Sequence, residues 1–383
     1  MSPTPNHDSP TPNDANGSPS RRLLEVLEGH QRVLVVTHDH PDPDAIAAGW
    51  ALTRLTDVML GLPSRLLARG PVIRAENRQL LALLEPPIEF VDRLVAHAGD
   101  AIVLVDCRPE ASIHMLSGTD QLPLAVIDHH LEQPRRRART GDSATGTDGV
   151  AFQDVRSGIA ATSTIVTGYL CEHAIDPGKP LATALLYAIQ SDALGWPVYT
   201  AEDHRAVAWL TSRADLNDLV AIRHAPLGRD YYTDLLLALE ATVTYGDSAF
   251  CLLPRARGPE TVGEVADLII RIEDIDRAAC AAVTGGGVYV SVRVAGEQHN
   301  AARLARRMLR GIGHAGGHRF RAGGKIEGDD PSEGDASPGA PTIDITDVAA
   351  LRQELLARWL RVCHTQDETE RLLVTRRPIV QNL

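Results

Sequence analysis

Aromatic residues are scarce in this chain, at 4% of 383 residues, which argues against the broad base-stacking platform that single-strand binders use. Its five cysteines (Cys107, Cys171, Cys251, Cys280 and Cys363) are scattered, odd in number and without a CxxC pair. Neither a zinc knuckle nor a disulfide framework is indicated, and a reducing, cytoplasmic setting fits best. No apolar run approaches the roughly 18 residues that span a bilayer, so no membrane partner is expected. The first residues, rich in Pro, Asn, Ser and Asp, have no apolar h-region, which excludes an ordinary signal peptide. Positive charge is not in excess either. With a net charge of −12, any contact with nucleic acid must come from a local basic patch.

Apolar residues make up 44% and charged residues 23% of the chain, a globular balance long enough for two or three domains. Residues 1–20 read as a disordered tail. A helix is expected from Leu23, strands over 33–36, 65–67, 101–105 and 124–127, and helices over 45–55, 77–84, 161–172 and 181–190. This rhythm predicts an α/β domain over 21–235, with a doubly wound, mostly parallel sheet. Residues 132–149, including Arg135-Arg136-Arg137, read as an exposed loop, and 215–241 as one helical stretch that can link two domains. A smaller α+β domain follows over 240–363. It has strands at 249–253, 278–284 and 288–294 and helices at 260–272, 299–310 and 347–362. Its acidic stretch 328–341 reads as a flexible insertion in a hairpin, with a strand resuming at 342–345. Residues 364–383 read as a tail without a signal. The active-site cleft is expected between the two domains.

Three apolar runs end in acids and imidazoles. Run 33–36 leads into His38-Asp39-His40-Pro41-Asp42-Pro43-Asp44, run 101–105 into Asp106, and run 124–127 into Asp128-His129-His130. In open α/β sheets ligands bind at the carboxyl ends of strands, and carboxylates crowded there repel one another unless cations neutralise them. Oxygen ligands suit hard divalent cations, and an imidazole among them shifts preference towards Mn²⁺ over Mg²⁺. The first loop can place His38 and Asp42 on one ion and Asp44 on a neighbour, with Asp106 bridging. Two ions ~4 Å apart activate a water and stabilise the leaving oxygen of a phosphoryl displacement. The competing reading makes Asp42 and Asp44 caps of a helix starting near Ala45, which accounts for one acid but not for three strand ends.

HDHPDPDAI, VLVDC, VIDHH and a later GGH, in that order, resemble the DHH phosphoesterase superfamily. The resemblance is to its branch with a DHH-associated second domain, which holds nanoRNases, pAp phosphatases and RecJ-like exonucleases. It implies two divalent cations, Mn²⁺ foremost with Mg²⁺ or Co²⁺ as alternatives, held by His38, Asp42, Asp44, Asp106, His129 and Asp192. It further implies that Asp128 orients an imidazole and that His130 faces the substrate, aiding proton transfer or binding phosphate. In the second domain Arg293, Gly316, Gly317 and His318 would contact a substrate phosphate. Two departures stand out: Ala193-Leu194-Gly195 follows Asp192 where the family commonly has Thr-Gly, and Ala315 replaces the first glycine of GGGH.

The residues add their own indication. Between 298 and 326 no acid occurs, while Arg303, Arg306, Arg307, Arg310, Arg319, Arg321 and Lys325 do. Arg303, Arg307 and Arg310 share one helical face. Arg303 and Arg307 are candidate substrate ligands, against the alternative of a solvated face. His97, His173, His204 and His224 read as surface residues.

The expected activity is hydrolysis of very short RNA, about two to five nucleotides, to nucleoside monophosphates, with the bisphosphonucleoside pAp as a second substrate. Partners would be short RNA or nucleotides and, by the resemblance, a second copy in a homodimer. Alternatives are a cyclic- or linear-dinucleotide phosphodiesterase, a RecJ-like single-strand exonuclease, and a non-catalytic nucleotide-binding protein. An inorganic pyrophosphatase shares the first-domain motifs but not the GGH domain.

Overall fold

The computed structural model describes residues 17–110, 114–130, 149–192, 199–256, 258–284, 287–317, 319–327, 345, 347–363 and 376–378. The loop at 132–148, the strand expected over 342–344, the insertion at 328–341, Ala193-Leu194-Gly195, His318 and the tail residues 1–16, 364–375 and 379–383 lie outside them.

The first part runs α1 (Pro19–Leu27), β1 (Arg32–Val36), α2 (Pro43–Leu60), β2 (Ser64–Ala68), α3 (Ala75–Leu84), β3 (Ile88–Phe90), β4 (Asp100–Val105), β5 (Ala125–Asp128) and β6 (Phe152–Val155). Five helices follow: α4 (Thr162–Glu172), α5 (Gly178–Asp192), α6 (Ala201–Thr211), α7 (Leu216–Arg223) and α8 (Arg229–Ala241). The six strands form one sheet in the order β3-β2-β1-β4-β5-β6, and every pairing in it is parallel. Strand order therefore reverses between β1 and β4, where a crevice opens outside the carboxyl ends. Buried on both faces, these strands are near-continuous apolar runs. Val33 and Val35 of β1 pack into a core with Ile46 and Leu52 of α2 and Ile165 of α4. Leu34 and Val36 point the other way, where Cys107, Met115, Leu116 and the half-buried Val91 and Leu94 cover the sheet among the described residues. Among the described residues, the segments that cover this face are loops.

The second part comprises β7 (Val243–Tyr245), β8 (Ser248–Leu253), α9 (Pro259–Ile269), β9 (Arg277–Thr284), β10 (Gly287–Val294), α10 (Ala301–Met308), β11 (His314–Gly317), β12 (Arg321–Glu327), α11 (Val348–Cys363) and β13 (Arg376–Pro378). Its sheet order is β11-β12-β10-β9-β8-β7-β13. Among the described residues only the pairing of β8 with β9 is parallel in this sheet. Alternation along β10 separates two layers. Val288, Val290, Val292 and Val294 pack with α10 and α11, while Tyr289 lies against the cluster that holds Val262, Val265 and Ala266 of α9.

Several boundaries differ from expectation. Helix α1 starts at Pro19, capped by the Ser18 hydroxyl, so the described chain is helical before residue 20. The stretch 215–241 is two helices, because Pro226 lacks an amide hydrogen and Gly228 sits in extended backbone at the N-cap of α8. Helix α6 and the strands β3, β6, β7, β11 and β13 have no counterpart in the sequence-based expectation, the last of them lying inside the supposed tail. Among the described residues no helix is long and apolar enough to cross a membrane.

Candidate functional site

Asp42 caps α2: its Oδ1 accepts hydrogen bonds from the amides of Asp44 and Ala45, both at 3.0 Å, and Pro43 occupies the first helical turn. The capping reading of Asp42 therefore holds alongside its place in the cluster. Asp44, in that same turn, is 1% exposed. His40 and Asp106 adopt φ of +54° and +60°. Such left-handed backbone costs a non-glycine residue roughly 1–3 kcal/mol and tends to gather at functional sites.

Around Asp106 the six expected ligands form two groups. His38 Nε2 lies 3.8 Å from Asp42 Oδ1 and 3.6 Å from Asp106 Oδ2. His129 Nε2 lies 3.6 Å from Asp44 Oδ2, 3.6 Å from Asp106 Oδ1 and 3.2 Å from Asp192 Oδ2. Asp106 thus turns one oxygen to each group. Candidate ligand atoms of His38, Asp42 and Asp106 all lie within 4.8 Å of one another, as do those of Asp44, His129 and Asp192, and those of Asp106, His129 and His130. His38 Nδ1 donates to the Asp39 carbonyl at 2.8 Å, and His129 Nδ1 faces the Ile159 carbonyl at 3.4 Å. With Nδ1 carrying the hydrogen, each Nε2 presents its lone pair inward, the tautomer that a metal-binding imidazole needs. The donor set fits two divalent cations.

Electrostatics point the same way. Burial, then the charges of Asp106, Asp192 and Asp42, push the Asp44 carboxyl well above its ordinary range. Asp192 is raised by burial and by Asp42 and Asp106, against the pull of His129. His38 is raised in spite of burial, through its bonds to Asp106 and Asp42. Carboxylates crowded in one buried pocket repel one another, and bound cations would neutralise them.

Further groups, which sequence spacing does not reveal, hold these candidate ligands in place. The amides of Thr162 and Ser163, at the N-terminus of α4, donate to the two Asp44 oxygens, each at 2.7 Å. The helix end is thus an anion site for a ligand carboxylate. Thr162 Oγ1 donates to Asp106 Oδ1 at 2.8 Å. Arg108 Nε donates to Asp128 Oδ2 at 2.9 Å, and its Nη2 donates to the His130 carbonyl at 2.5 Å.

Asp128, wholly buried, joins Arg108 to His130, whose Nδ1 lies 2.7 Å from Asp128 Oδ1. Burial pulls the His130 imidazolium down, but the bond to Asp128 and the charges of Asp106, Asp128 and Asp192 outweigh it and push its pKa to about 10. The same partnership holds Asp128 below the usual carboxylate range although burial opposes ionisation. In the metal-free protein the pair therefore stabilises the fold most between the ordinary values of the two groups, about pH 4 to 6.5. Its contribution is lost as pH rises through about 10, and on the acid side as pH falls below the ordinary carboxylate range. Asp128→Asn should flatten the fall in melting temperature between about pH 6.5 and 10, measured by scanning calorimetry in chelator. An unchanged slope would show that this pair does not carry it.

The second domain meets the first along α9. Glu260 Oε2 accepts hydrogen bonds from the amides of Ile73, at 2.8 Å, and Arg74, capping the start of α3. A side-chain carbon at Gly258 would come 2.2 Å from Ile73 Cδ1, so glycine permits this approach. The contact reaches the metal loop, because His40 Nδ1 donates to the Pro71 carbonyl at 3.1 Å. Glu260→Ala leaves two helix-start amides unpaired and should lower unfolding free energy by about 1–2 kcal/mol, read from urea denaturation. No change would mean that solvent takes over both amides.

Arg293 lies on the α9 side of the second sheet, with Nε donating to Asp267 Oδ1 at 2.6 Å. Gly316 and Gly317 form the end of edge strand β11. Gly317 has φ +130°, and a side-chain carbon there would lie 2.6 Å from Ala322 Cα and the Arg321 carbonyl, so packing alone demands glycine. Arg303 and Arg307 do not join these residues. They sit on α10, on the opposite face of the sheet from Arg293, and with Asn300, Arg306 and Arg310 they line a surface hollow of about 450 Å³. They were grouped with Arg293 because sequence spacing shows a helical face but not the side of the sheet on which it packs. His97, His204 and His224 are exposed, whereas His173 is half-buried with Nε2 at 2.9 Å from Ser20 Oγ.

Residues 32–189 match the DHH family, N-terminal domain. An uncharacterized protein of Methanocaldococcus jannaschii is 28% identical over 314 residues, covering 79% of this chain and 60% of that protein. A probable manganese-dependent inorganic pyrophosphatase of Shouchella clausii is 29% identical over 191 residues, covering 49% of this chain and 56% of that protein. The chain thus spans less than two thirds of the length of these curated relatives. The crystal structure of an exopolyphosphatase-related protein from Bacteroides fragilis superposes with a TM-score of 0.64 at 17% identity, covering 90% of this chain and 97% of that one. The likeness shows a shared two-part fold.

Proposed function

We propose that this chain, whose residues 32–189 belong to the DHH family, is a metal-dependent phosphoesterase that hydrolyses very short oligoribonucleotides, about two to five nucleotides, to nucleoside monophosphates, with pAp as a second substrate. The observation that carries the reading is Asp106, with one oxygen turned to each of two ligand groups at the strand-order reversal. One cation would be held by His38, Asp42 and Asp106, the other by Asp44, Asp106, His129 and Asp192. The mixed carboxylate and imidazole donors favour Mn²⁺, with Mg²⁺ or Co²⁺ as substitutes, and the manganese dependence named for the Shouchella clausii relative supports that choice. When bound, such a pair supplies Lewis acidity and an activated water.

The protein's own groups do the rest. His130, 38% exposed at its side chain and paired through Nδ1 with Asp128, serves to stabilise or protonate a phosphoryl or leaving oxygen. Asp128 and Arg108 keep that ring oriented. Arg293, Gly316, Gly317 and His318 would grip a phosphate from the second domain.

An inorganic pyrophosphatase is the second reading, favoured by the Shouchella clausii relative, whose match covers 49% of the chain. One assay separates them: purified protein in Mn²⁺ with RNAs of two, three, five and twenty-four nucleotides, pAp, cyclic di-AMP and pyrophosphate. Preference for the shortest RNAs supports the first reading, and dominant pyrophosphate turnover the second. Equal degradation of the twenty-four-nucleotide RNA would replace the first with a RecJ-like exonuclease.

A further inference from the structure

Helix α4 has no cap of its own. Ala161 stands at its N-cap and makes no side-chain hydrogen bond, where Ser, Thr, Asp or Asn is favoured. The first amides of the helix are taken by Asp44 from one side, and Asp203 holds the same segment from the other. Asp203 lies in the first turn of α6, wholly buried, and accepts four hydrogen bonds through its side chain. Oδ2 takes the amide and the hydroxyl of Thr200, at 2.8 and 2.7 Å, and so closes the capping box of α6. Capping needs that oxygen alone. Oδ1 is directed to residues 43 and 39 positions earlier, the Ala160 amide at 3.1 Å and the Thr164 hydroxyl at 2.7 Å.

Those two contacts bracket the supports of one ligand group. Between Ala160 and Thr164 lie Thr162 and Ser163, whose amides hold Asp44. The Thr162 hydroxyl holds Asp106 Oδ1, the oxygen turned to His129. A third tie is more direct. The Ala160 amide belongs to the same peptide unit as the Ile159 carbonyl, which faces His129 Nδ1 at 3.4 Å. That unit is trans, so its N–H and C=O point in opposite directions within one plane. Asp203 and His129 are therefore joined through a single peptide, and an anion accepting from its N–H strengthens its carbonyl as an acceptor. Asp44, Asp106 and His129 all lead back to Asp203.

The other ligand group is supported locally. His38 takes its orientation from the Asp39 carbonyl, and Asp42 from the first amides of α2. These supports belong to the short stretch of chain that carries the ligands themselves.

We propose that Asp203 is the positioning residue for the cation group of Asp44, Asp106, His129 and Asp192, and that the group of His38 and Asp42 keeps its place without it. The inference rests on the metal-dependent phosphoesterase reading. It adds that the two cation affinities are set by different parts of the fold and change separately.

The test is a calorimetric Mn²⁺ titration of wild type, Asp203→Asn, Thr164→Val and Asp215→Ala. Melting curves in chelator and steady-state rates on a dinucleotide are measured beside it. Asp203→Asn sets a donor against either the Thr200 or the Ala160 amide. Thr164→Val removes one tie to α4 and leaves the α6 cap in place. Asp215 caps α7 through the Asn217 and Asp218 amides, so its alanine variant reports lost capping alone. Wild type should bind Mn²⁺ in two steps. In Asp203→Asn one step should weaken by about tenfold or more, the usual loss when the partner of a metal ligand is removed, and the other should stay where it is. Thr164→Val should weaken the same step by a smaller factor, and it decides the matter if Asp203→Asn does not fold. Turnover by Asp203→Asn should fall in kcat, with KM for the dinucleotide little changed, and recover as Mn²⁺ is raised. Asp215→Ala should melt lower with both steps unmoved. A merely structural role for Asp203 would give that same pattern and overturn the proposal, as would an equal loss on both steps or a single step in wild type. Unchanged Mn²⁺ affinity in the variants leaves the phosphoesterase reading intact. If wild type binds Mn²⁺ but cleaves no dinucleotide, the RNA reading fails and the two steps still decide the role of Asp203.

Discussion

Asp106→Asn is expected to lower kcat by at least about a thousandfold while leaving the fold intact. The loss follows from position: one carboxylate faces both ligand groups, and the amide replaces one of its two oxygens with a donor that binds no cation. Metal-supplied charge stabilisation is worth several kcal/mol, and each 1.36 kcal/mol is about tenfold in rate. The fold survives for equally specific reasons. Asparagine adopts the left-handed backbone found at this position, φ +60°, as readily as aspartate. Its remaining oxygen can still accept from Thr162 Oγ1. Removing one charge also relieves repulsion on Asp44 and Asp192, so the melting temperature in chelator should equal or exceed that of wild type. Steady-state rates and a melting curve in chelator check both halves, and activity within about tenfold of wild type would remove Asp106 from the reaction.

Withdrawing the metal should be the second large effect. A ligand that binds only the folded state at a hundred times its dissociation constant stabilises by about 2.7 kcal/mol per site, several degrees or more for a domain of this size. Wild type stripped with chelator should therefore lose activity and melt lower, with both restored by Mn²⁺. The sign of the pH dependence follows from Asp44 and Asp192, both raised in the folded protein. In the metal-free protein, carboxyls of this kind favour the fold fully below their unfolded values. That favour is lost as pH rises through their folded values. Cations must displace the same protons. The melting-temperature gap between Mn²⁺-loaded and stripped protein should thus widen as pH rises from acid to neutral. A gap independent of pH would show that these two carboxylates do not hold the cations.

Much of the candidate site was legible because each candidate ligand follows a strand end or closes a helix within a few residues of a recognisable apolar run. His38, Asp42, Asp44, Asp106 and His129 needed only the alternation of runs and loops to be placed at one end of a sheet. Arg108, Thr162 and Ser163 carried no such mark. Thr162 supports Asp44 from 118 residues away, and nothing local in the sequence announces a helix start aimed at a carboxylate. Short edge strands were hidden for a related reason. Ile88–Phe90 and Arg376–Pro378 are three residues each, held by backbone pairing that imposes no apolar pattern. The basic helix misled in the opposite direction: its arginines are regular in sequence, yet α10 packs behind the sheet.

By itself, then, the sequence determined the parallel α/β domain, the smaller second domain and the acids and imidazoles at three strand ends, because these depend on periodicity and on residues adjacent in the chain. Only the tertiary structure decided that β1 and β4 are neighbours, that Asp106 faces two groups of candidate ligands at once, and that Arg293 and Arg321 share the one carboxylate of Asp267. Those outcomes depend on which surfaces meet, and contacts between residues far apart in the chain leave no trace in local spacing.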